Sequence, residues 1–315
     1  MIVIKSAARA RGLAQPDPRA DNPLVARGFA ANALADAGTE ARARAGVPPP
    51  AVKCAFFALD GGAALAQSIF EGVKILAVTR QIAAPFSTYH MALHGADVLV
   101  VENPREPDSM RLVAGSGGKL GKMAMSHSFM AQGANKKNMT LNLAVPEGQA
   151  IFRSLAAQAD IVVENLVAGT MKRYGLGYED LAKDRQDLIY CSITGYGQSG
   201  PTYKRAAIDG AVQAASGLMS MTGNQETGPM KVGFLMADYA TGYAAALAMV
   251  SALFHRSRTG EGQYIDAAML DTAITMAGAD VCEAATTGIY KQLRGNGDGR
   301  YVSNVFRCKE GRLSI

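Results

Sequence analysis

The chain has 315 residues, 49% of them hydrophobic and 19% charged, which is typical of a folded protein with room for about two domains. Its net charge of +5 includes no dense basic run, and it has no tryptophan, so the composition argues against nucleic-acid binding. No stretch approaches the ~18 uncharged apolar residues of a membrane span, and the four scattered cysteines form no CxxC pair, so we expect a cytoplasmic protein with reduced thiols and no membrane contact.

The first 69 residues differ in composition from the rest of the chain. They are rich in Ala, Arg and Pro, including the run Pro48-Pro49-Pro50, and show no persistent helical or strand period. They also lack the apolar segment and cleavage site of a secretory signal. We therefore expect residues 1–69 to be a disordered leader or an upstream extension.

From about residue 70, apolar strand patterns alternate with helical ones. The predicted strands are Val73–Thr79, Asp97–Glu102, Met139–Leu143, Ile161–Glu164, Leu188–Ile193, Met230–Phe234 and Gln263–Asp266. The predicted helices are Pro85–His94, Pro146–Gln158, Tyr178–Lys183, Ala211–Met219, Ala237–Arg256 and Met269–Thr287. Strands separated by helices indicate the α/β class, a Rossmann-like parallel sheet covered on both faces.

The domain organisation follows from the same pattern. Residues 70–290 are predicted to form the large Rossmann-like domain, and residues 291–315 the beginning of a second, small domain. The chain stops inside an apparent strand that begins at Arg312. We therefore expect a C-terminally truncated chain.

A literal GxGxxG motif, Gly195 to Gly200, follows a predicted strand directly. The dinucleotide fingerprint requires a helix to begin in that loop, so that its N-terminus holds the pyrophosphate. Here Pro201 follows at once, and the next residues are polar and basic. The motif therefore favours a tight loop that admits a ligand or another backbone, and we expect no nicotinamide cofactor.

Two histidines, His90 and His94, stand four residues apart on one predicted helix. The HExxH zinc motif needs a glutamate directly after the first histidine, and Met91 occupies that position. No third ligand follows at a suitable spacing, so packed or surface histidines are the favoured interpretation and no metal is expected. The absence of GxSxG gives no support to serine-hydrolase chemistry.

Asp238 lies where the predicted apolar strand passes into a long helix of small residues. Its structural interpretation is an N-cap for that helix, the usual role of an aspartate at such a junction. Its functional interpretation is a nucleophile at the carboxyl end of a strand, where α/β proteins bind ligands. The spacing alone favours the cap.

Short segments spread from about residue 70 to the end of the chain carry a family resemblance. They are Gly72–Thr79 with Pro85, Gly95–Glu102, Asn135–Lys137, Leu141–Leu143, Pro146–Gly148, Ala159–Asn165, Gly169–Tyr178, Leu188–Ser192, Gly195–Pro201 and Gly260–Gln263 with Asp266. In this order they resemble the class III CoA-transferases, which include formyl-CoA and carnitine CoA-transferases. The resemblance implies an interlocked homodimer whose glycine-rich lid would lie beyond residue 315.

The resemblance also implies an activity and its residues. Asp238 would attack an acyl-CoA thioester to give an acyl-aspartyl anhydride, which coenzyme A converts to an aspartyl-CoA thioester before a carboxylic acid takes the CoA. Coenzyme A is then a substrate, bound by Arg173, with Lys137 and Arg80 as further basic candidates. Asn165, at a strand's carboxyl end, is a candidate for a ligand contact.

Some positions depart from the family pattern. Ile82 and Asn103 stand where a glutamine and a cation are expected, which puts formate or oxalate specificity in doubt. The related α-methylacyl-CoA racemases carry a histidine at the position of Ile208, and isoleucine cannot move a proton, so transfer is favoured over racemisation. A non-catalytic fragment that binds CoA or dimerises is the remaining alternative, because the lid is missing.

Overall fold

The computed structural model describes residues 3–6, 68–112, 124–183, 185–297 and 304–314. The predicted disordered leader at residues 1–69 therefore lies almost entirely outside the described residues. Of that segment the structure describes residues 68 and 69 and a short strand, Val3–Ser6.

The strands, in chain order, are β1 Val3–Ser6, β2 Lys74–Val78, β3 Asp97–Glu102, β4 Lys136–Thr140, β5 Ile161–Glu164, β6 Ile189–Thr194, β7 Gly223–Asn224, β8 Gly228–Pro229, β9 Gln263–Ala268, β10 Val305–Arg307 and β11 Arg312–Ser314. The helices are α1 Ala83–Leu93, α2 His127–Gly133, α3 Pro146–Ala156, α4 Thr170–Arg173, α5 Tyr178–Leu181, α6 Asp209–Ala215, α7 Met236–Thr259, α8 Met269–Met276 and α9 Gly278–Thr287. Two 3₁₀ turns span Ser109–Arg111 and Leu218–Met221.

Seven of these strands form one sheet in the order β1-β9-β6-β5-β2-β3-β4. Six of them are parallel, and β1 pairs antiparallel with β9 at one edge. The sequence does not predict β1, because four residues beside a segment rich in Ala, Arg and Pro carry too little pattern. The remaining short strands form two hairpins, β7 with β8 and β10 with β11.

Helices cover both faces of the sheet, which explains why its central strands are continuously apolar. On one face Ile75 and Ile265 pack with α1 and α7, where Met91 and Met249 are buried. The neighbouring residue of β2, Leu76, points to the opposite face and joins the core beneath α3 and α5. The predicted α/β fold with a parallel sheet is confirmed.

Most predicted elements are confirmed with boundaries shifted by a few residues. The predicted strand at Met230–Phe234 is wrong, because the structure places only Gly228–Pro229 in a strand and continues irregularly to α7. The single helix predicted for Met269–Thr287 is two helices, α8 and α9, interrupted at Ala277. The strand predicted to begin at Met139 begins three residues earlier, with β4.

The described end of the chain is the β10–β11 hairpin. Assignment of residues 291–315 to a second domain remains a prediction. Among the described helices, none is both long enough and apolar enough to cross a membrane.

Candidate active site

The carboxyl ends of β2, β3, β5 and β6 open onto one cleft of about 1020 Å³. Parallel strands all point the same way, so the residues that follow them meet at this edge of the sheet, where α/β proteins bind ligands. The loop after β2, the loop after β6 and the first turns of α6 and α7 form the walls. Asp238, Arg80 and Asn165 all line the cleft.

Asp238 is the third residue of α7 and is half-buried. The N-cap position belongs to Leu235, which makes no side-chain capping hydrogen bond. Instead, the backbone N–H groups of Ala237 and Asp238 donate to Oδ2 of Asp209 at 2.7 and 3.1 Å. The N-cap interpretation of Asp238 is therefore wrong, because a carboxylate from α6 satisfies the first turn of α7. Asp238 also does not follow a strand directly.

Asp209 is fixed in place by its own partners. It is buried in the first turn of α6 and accepts a hydrogen bond from the side-chain amide of Gln213. The carbonyl oxygen of that amide in turn accepts from the backbone N–H of Val232 at 2.8 Å. This chain of hydrogen bonds ties α6 to the irregular segment that leads into α7, and so fixes the position of Asp238.

The surroundings of Asp238 disfavour its charged form. Burial, with a smaller contribution from the negative charge of Asp209, raises the pKa of Asp238 to about 6. A hydrogen bond from the backbone N–H of Ala83, the first residue of α1, acts in the opposite direction. The carboxyl group is therefore mostly ionised at neutral pH but incompletely solvated, which suits a nucleophile.

Arg80, in the loop between β2 and α1, is hydrogen-bonded to Asn165, which follows β5. The backbone N–H of Arg80 donates to Oδ1 of Asn165 at 3.0 Å, and the Asn165 amide donates back to the Arg80 carbonyl at 2.8 Å. The next residue, Gln81, has a left-handed φ of 66° and donates its N–H to the buried carboxylate of Asp108 at 3.1 Å. Asn165 therefore shapes this wall of the cleft through the backbone.

The side chain of Arg80 lines the cleft and lies 3.9 Å from the carboxylate of Glu106. Lys137 lies elsewhere, on β4, where its ammonium pairs with exposed Asp97 at 2.8 Å. Arg173 is exposed on α4, with its guanidinium 5.4 Å from the centre of the Tyr174 ring. The structure thus brings Asp238, Arg80 and Asn165 together, whereas Lys137 and Arg173 lie outside the lining of the cleft.

Six charged residues that line the cleft are not among the site residues predicted from the sequence: Glu102, Glu106, Asp108, Arg205, Asp209 and Lys231. Both Arg205 and Lys231 are exposed; Arg205 lies in an irregular loop, and Lys231 lies in the segment Met230–Phe234 that the sequence wrongly predicts as a strand. The sequence could have indicated Asp209 as a capping residue, because an aspartate at the start of a helical pattern is typical of a capping carboxylate. That it caps a different helix follows only from the tertiary packing.

The glycine motif forms the tight loop that the sequence predicts. It follows β6 directly, and all of residues 195–208 are described and contain no helix, so the strand–loop–helix form of a dinucleotide site is absent there. Gln198 donates its N–H to the Asp266 carboxylate at 2.9 Å, which holds the loop against β9. A Cβ at Gly195 would lie 2.1 Å from Cβ of Ala207, so the chain passes closely over itself at the cleft wall.

Of the two histidines, His90 is packed on α1, whereas His94 is exposed at the C-cap of that helix. The His90 ring centre lies 4.5 Å from those of both Phe86 and Tyr243. In the parts of the chain that the structure describes, no group of three or more His, Cys, Asp or Glu residues is arranged to hold a metal ion.

Comparison with known families places this site in context. Residues 70–315 match the model of CoA-transferase family III. The chain belongs to this family. The cleft at the carboxyl edge of the sheet is its candidate active site.

Family members with curated names share much of the sequence. Succinyl-CoA:glutarate CoA-transferase of Mus musculus is 42% identical over 250 residues, which are 78% of this chain and 56% of the mouse protein. Succinate–glutarate CoA-transferase of Agrobacterium fabrum is 40% identical over 64% of this chain and 51% of its own length. The chain spans about half the length of the curated relatives that it matches.

A solved structure of the family shares the fold. The CAIB/BAIF family protein from Brucella suis superposes with a TM-score of 0.69 at 32% identity. The match covers 78% of this chain and 65% of the Brucella chain.

Beside the cleft, the sheet holds a fully buried acid, Glu164, at the end of β5. Burial raises the pKa of Glu164 to about 7, although the Ser192 hydroxyl and the Leu166 N–H both donate to its carboxylate. The hydroxyl of Tyr264 donates to the same serine at 3.2 Å. Glu164 thus carries a cost of ionisation that a neutral side chain would avoid.

We expect Glu164→Gln to raise the free energy of unfolding at pH 8 by about 1–3 kcal/mol. The pKa of Glu164 in the folded state lies above 4.5, the usual value for a glutamate, so the cost of ionisation is absent below pH 4.5 and complete above pH 7. Urea unfolding of both proteins at pH 8 and near pH 4.5 measures the difference, which should vanish at the lower pH. An equal gain at both pH values would mean that ionisation of Glu164 is not its source.

Proposed function

We propose that the protein containing this chain transfers coenzyme A from an acyl-CoA thioester to a carboxylic acid, with Asp238 as the nucleophile. The observation that carries the proposal is the position, burial and raised pKa of the Asp238 carboxyl group. Asp238 faces the cleft from the first turn of a 24-residue helix, half-buried, with a pKa raised to about 6. Family membership supports the same reaction.

In the first half-reaction, a carboxylate oxygen of Asp238 bonds to the thioester carbonyl carbon, and the carbon–sulfur bond breaks. CoA leaves as the thiolate, and an acyl-aspartyl anhydride remains. The thiolate then attacks the Asp238 side of the anhydride, releases the donor acid as a carboxylate and forms an aspartyl-CoA thioester. Covalent catalysis thus divides one difficult transfer into easier steps, and CoA held in the cleft reacts at high effective concentration.

The second half-reaction runs the same two steps in reverse, with the acceptor acid in place of the donor acid. The acceptor carboxylate attacks the aspartyl-CoA carbonyl carbon and displaces the thiolate, which gives a new anhydride. The thiolate then attacks the acceptor's acyl carbon, so that acyl-CoA leaves and Asp238 regains its carboxylate. No net proton is transferred in either half-reaction.

The position of Asp238 suits an anionic transition state. Two helix N-termini, those of α1 and α7, meet at its carboxyl group, and the Ala83 N–H already donates to it. Helix N-termini carry partial positive charge and stabilise negative charge that develops beside them. The CoA thiolate and the acceptor carboxylate each attack the carboxyl carbon of Asp238, and the oxyanion that forms in each attack lies near these termini.

Short dicarboxylic acids are the substrate class that we propose first. One curated relative is named for succinyl-CoA and glutarate, and another for succinate and glutarate. The cleft carries three cationic side chains, Arg80, Arg205 and Lys231, that can offset the charge of anionic substrates beside Asp238 and Asp209.

The racemase alternative is disfavoured by Ile208. This side chain is 69% exposed at the N-terminus of α6 and lines the cleft next to Asp209. Two-base proton exchange needs a proton carrier at that position, and an aliphatic side chain has no titratable group. The site therefore supports attack by a single carboxylate better than proton exchange.

Intact-mass spectrometry after mixing the chain with succinyl-CoA, glutaryl-CoA and acetyl-CoA tests the proposal. A mass increase equal to the acyl group or to CoA, mapped to the peptide that contains Asp238, is the expected result. CoA binding without any adduct would overturn the catalytic proposal and support the non-catalytic alternative.

The pH dependence gives a further prediction. Only the ionised carboxyl attacks, so the initial rate of adduct formation should be constant above pH 7 and fall through a midpoint near pH 6. Quenched-flow sampling from pH 4.5 to 8 measures the profile, and CoA affinity measured in parallel separates binding from reaction. A rate that stays constant down to pH 4.5 would contradict the raised pKa of Asp238.

A further inference from the structure

The helix that carries Asp238 packs closely against α1. At this interface Gly242 is buried, one turn after Asp238 on α7. A Cβ built on Gly242 would lie 2.9 Å from the carbonyl oxygen of Ala83 and 2.7 Å from Cδ1 of Phe86. A contact shorter than 3.0 Å with backbone requires one of the helices to move.

The same first turn of α1 supplies the hydrogen bond to the candidate nucleophile. Ala83 contributes its N–H to the Asp238 carboxylate and its carbonyl to the tight approach at Gly242. Both groups belong to one residue, so a shift of α1 that relieves contact at its carbonyl also displaces its N–H. The distance between the two helices and the hydrogen bond at the nucleophile are thus mechanically linked.

We propose that Gly242 is a positioning residue for Asp238: without a side chain, it lets α1 approach α7 closely enough for the Ala83 N–H to hold the Asp238 carboxylate. The catalytic importance of this contact rests on the proposed function. The geometric link does not, since it concerns only the packing of two helices.

Other features of the interface are compatible with a role for the glycine. Phe86 stacks edge-on against Tyr239 and Tyr243, with ring centres 4.7 and 5.0 Å apart, so the rings fill the interface beside the glycine. The hydroxyl of Tyr239 accepts a hydrogen bond from Gln132 at 3.1 Å. An added methyl group therefore finds no empty space on this side, and overpacking moves helices instead of filling a void.

Besides the hydrogen bond from Ala83, nearby charged groups also affect the pKa of Asp238. From α6, Asp209 opposes ionisation, and the cleft that Asp238 faces is also lined by the cations Arg80, Arg205 and Lys231. The acids Glu102, Glu106 and Asp108 also line the cleft, with Glu106 close to Arg80 and Asp108 bonded to the Gln81 N–H. At the interface itself, His90 of α1 stacks against Phe86 and Tyr243, and Lys136 donates to the carbonyl of Pro85 in α1. Gly242→Ala adds and removes no charged group, so the hydrogen bond from Ala83 is the interaction that it alters.

The test compares Gly242→Ala with the wild-type chain in two ways. Titration of ¹³C-labelled aspartate carboxyls by NMR, assigned with Asp238→Asn, reports the Asp238 midpoint without any reaction. Loss of one hydrogen bond to a charged group should raise that midpoint by about one pH unit. The acid limb of the adduct-formation profile should move upward by the same amount, so that the rate falls several-fold at pH 6 and recovers by pH 8.

Gly278→Ala is the matched control, because Gly278 also lies in a helix but nothing lies within 4 Å of an added Cβ. It should leave the midpoint and the profile unchanged. An unshifted midpoint in a folded Gly242→Ala protein would overturn the inference. A shifted midpoint with no adduct even in the wild type would support the inference and overturn the proposed function.

Phe86→Leu keeps the inference testable should Gly242→Ala fail to fold. It removes ring contacts but keeps the approach of the Ala83 carbonyl to Gly242, so the Asp238 midpoint should stay unchanged. An upward shift would assign the positioning role to the ring and overturn the role of the glycine.

Discussion

Asp238→Ala is expected to abolish adduct formation from every acyl-CoA, with a rate at least about 10³-fold below wild type. Alanine has no group that can accept the acyl chain, so the covalent route is lost and only slow hydrolysis by water remains. CoA binding should persist, because the cationic side chains of the cleft are unchanged. Intact-mass spectrometry measures the adduct, and isothermal titration with CoA measures the binding.

Asp238→Asn is the sharper variant of the same experiment. The amide oxygen can still accept the Ala83 N–H, and the shape of the side chain is nearly the same, so the fold and the cleft should be preserved. Its nucleophilicity is that of an amide, and adduct formation should fall almost as far as in the alanine variant. Wild-type turnover in either variant would show that a different group is the nucleophile.

The sequence predicts the architecture of this protein well because the central strands are buried on both faces. Runs such as Ile161–Glu164 are short, apolar and β-branched, and the helices between them begin or end at Pro and Gly. Where local pattern is weak, the prediction fails. Met230–Phe234 is apolar enough for a strand, but no neighbouring strand of the sheet pairs with it, and hydrogen bonding across the sheet cannot be read from one segment.

The candidate site was also predicted only in part. Asp238 was a candidate because it is a carboxylate at the start of a long predicted helix, and the family resemblance implied its role as the nucleophile. The spacing favoured an N-cap because the sequence cannot show that Asp209, 29 residues earlier, already satisfies the N–H groups of that turn. Arg80 and Asn165 proved to share a wall of the cleft because parallel strands bring their ends together.

Lys137 was predicted as a basic residue that binds CoA, but it lies outside the lining of the cleft. The strand that carries it lies at the edge of the sheet, and its side chain pairs with Asp97 on the neighbouring strand. Adjacent residues of a strand point to opposite faces of the sheet, so the partners of Lys136 and Lys137 differ. The ammonium of Lys136 donates to the carbonyl of Pro85 at 2.6 Å. Roles of Lys137 and Arg173 in CoA binding remain predictions.

Gly262→Ala is expected to be the most destabilising single-methyl change among those considered, lowering the free energy of unfolding by about 3 kcal/mol or more. Gly262 is buried in the turn between α7 and β9, and its N–H donates to the Gln186 carbonyl at 2.7 Å. A Cβ there would lie 2.1 Å from the carbonyl oxygen of Leu188 and 2.5 Å from the carbonyl carbon of Asp187. Both obstacles are backbone and cannot rotate away.

Relief of that overlap must separate the start of β9 from the start of β6, which pair in the middle of the sheet and carry the loop that forms one wall of the cleft. Gly260→Ala is the control, because Gly260 lies in the same turn with a left-handed φ of 77° and nothing within 4 Å of an added Cβ. It should lose only the ~1–2 kcal/mol of left-handed strain. Urea unfolding followed by circular dichroism compares the two variants. Equal losses would show that backbone conformation, and not the close approach of β6 and β9, makes glycine necessary in this turn.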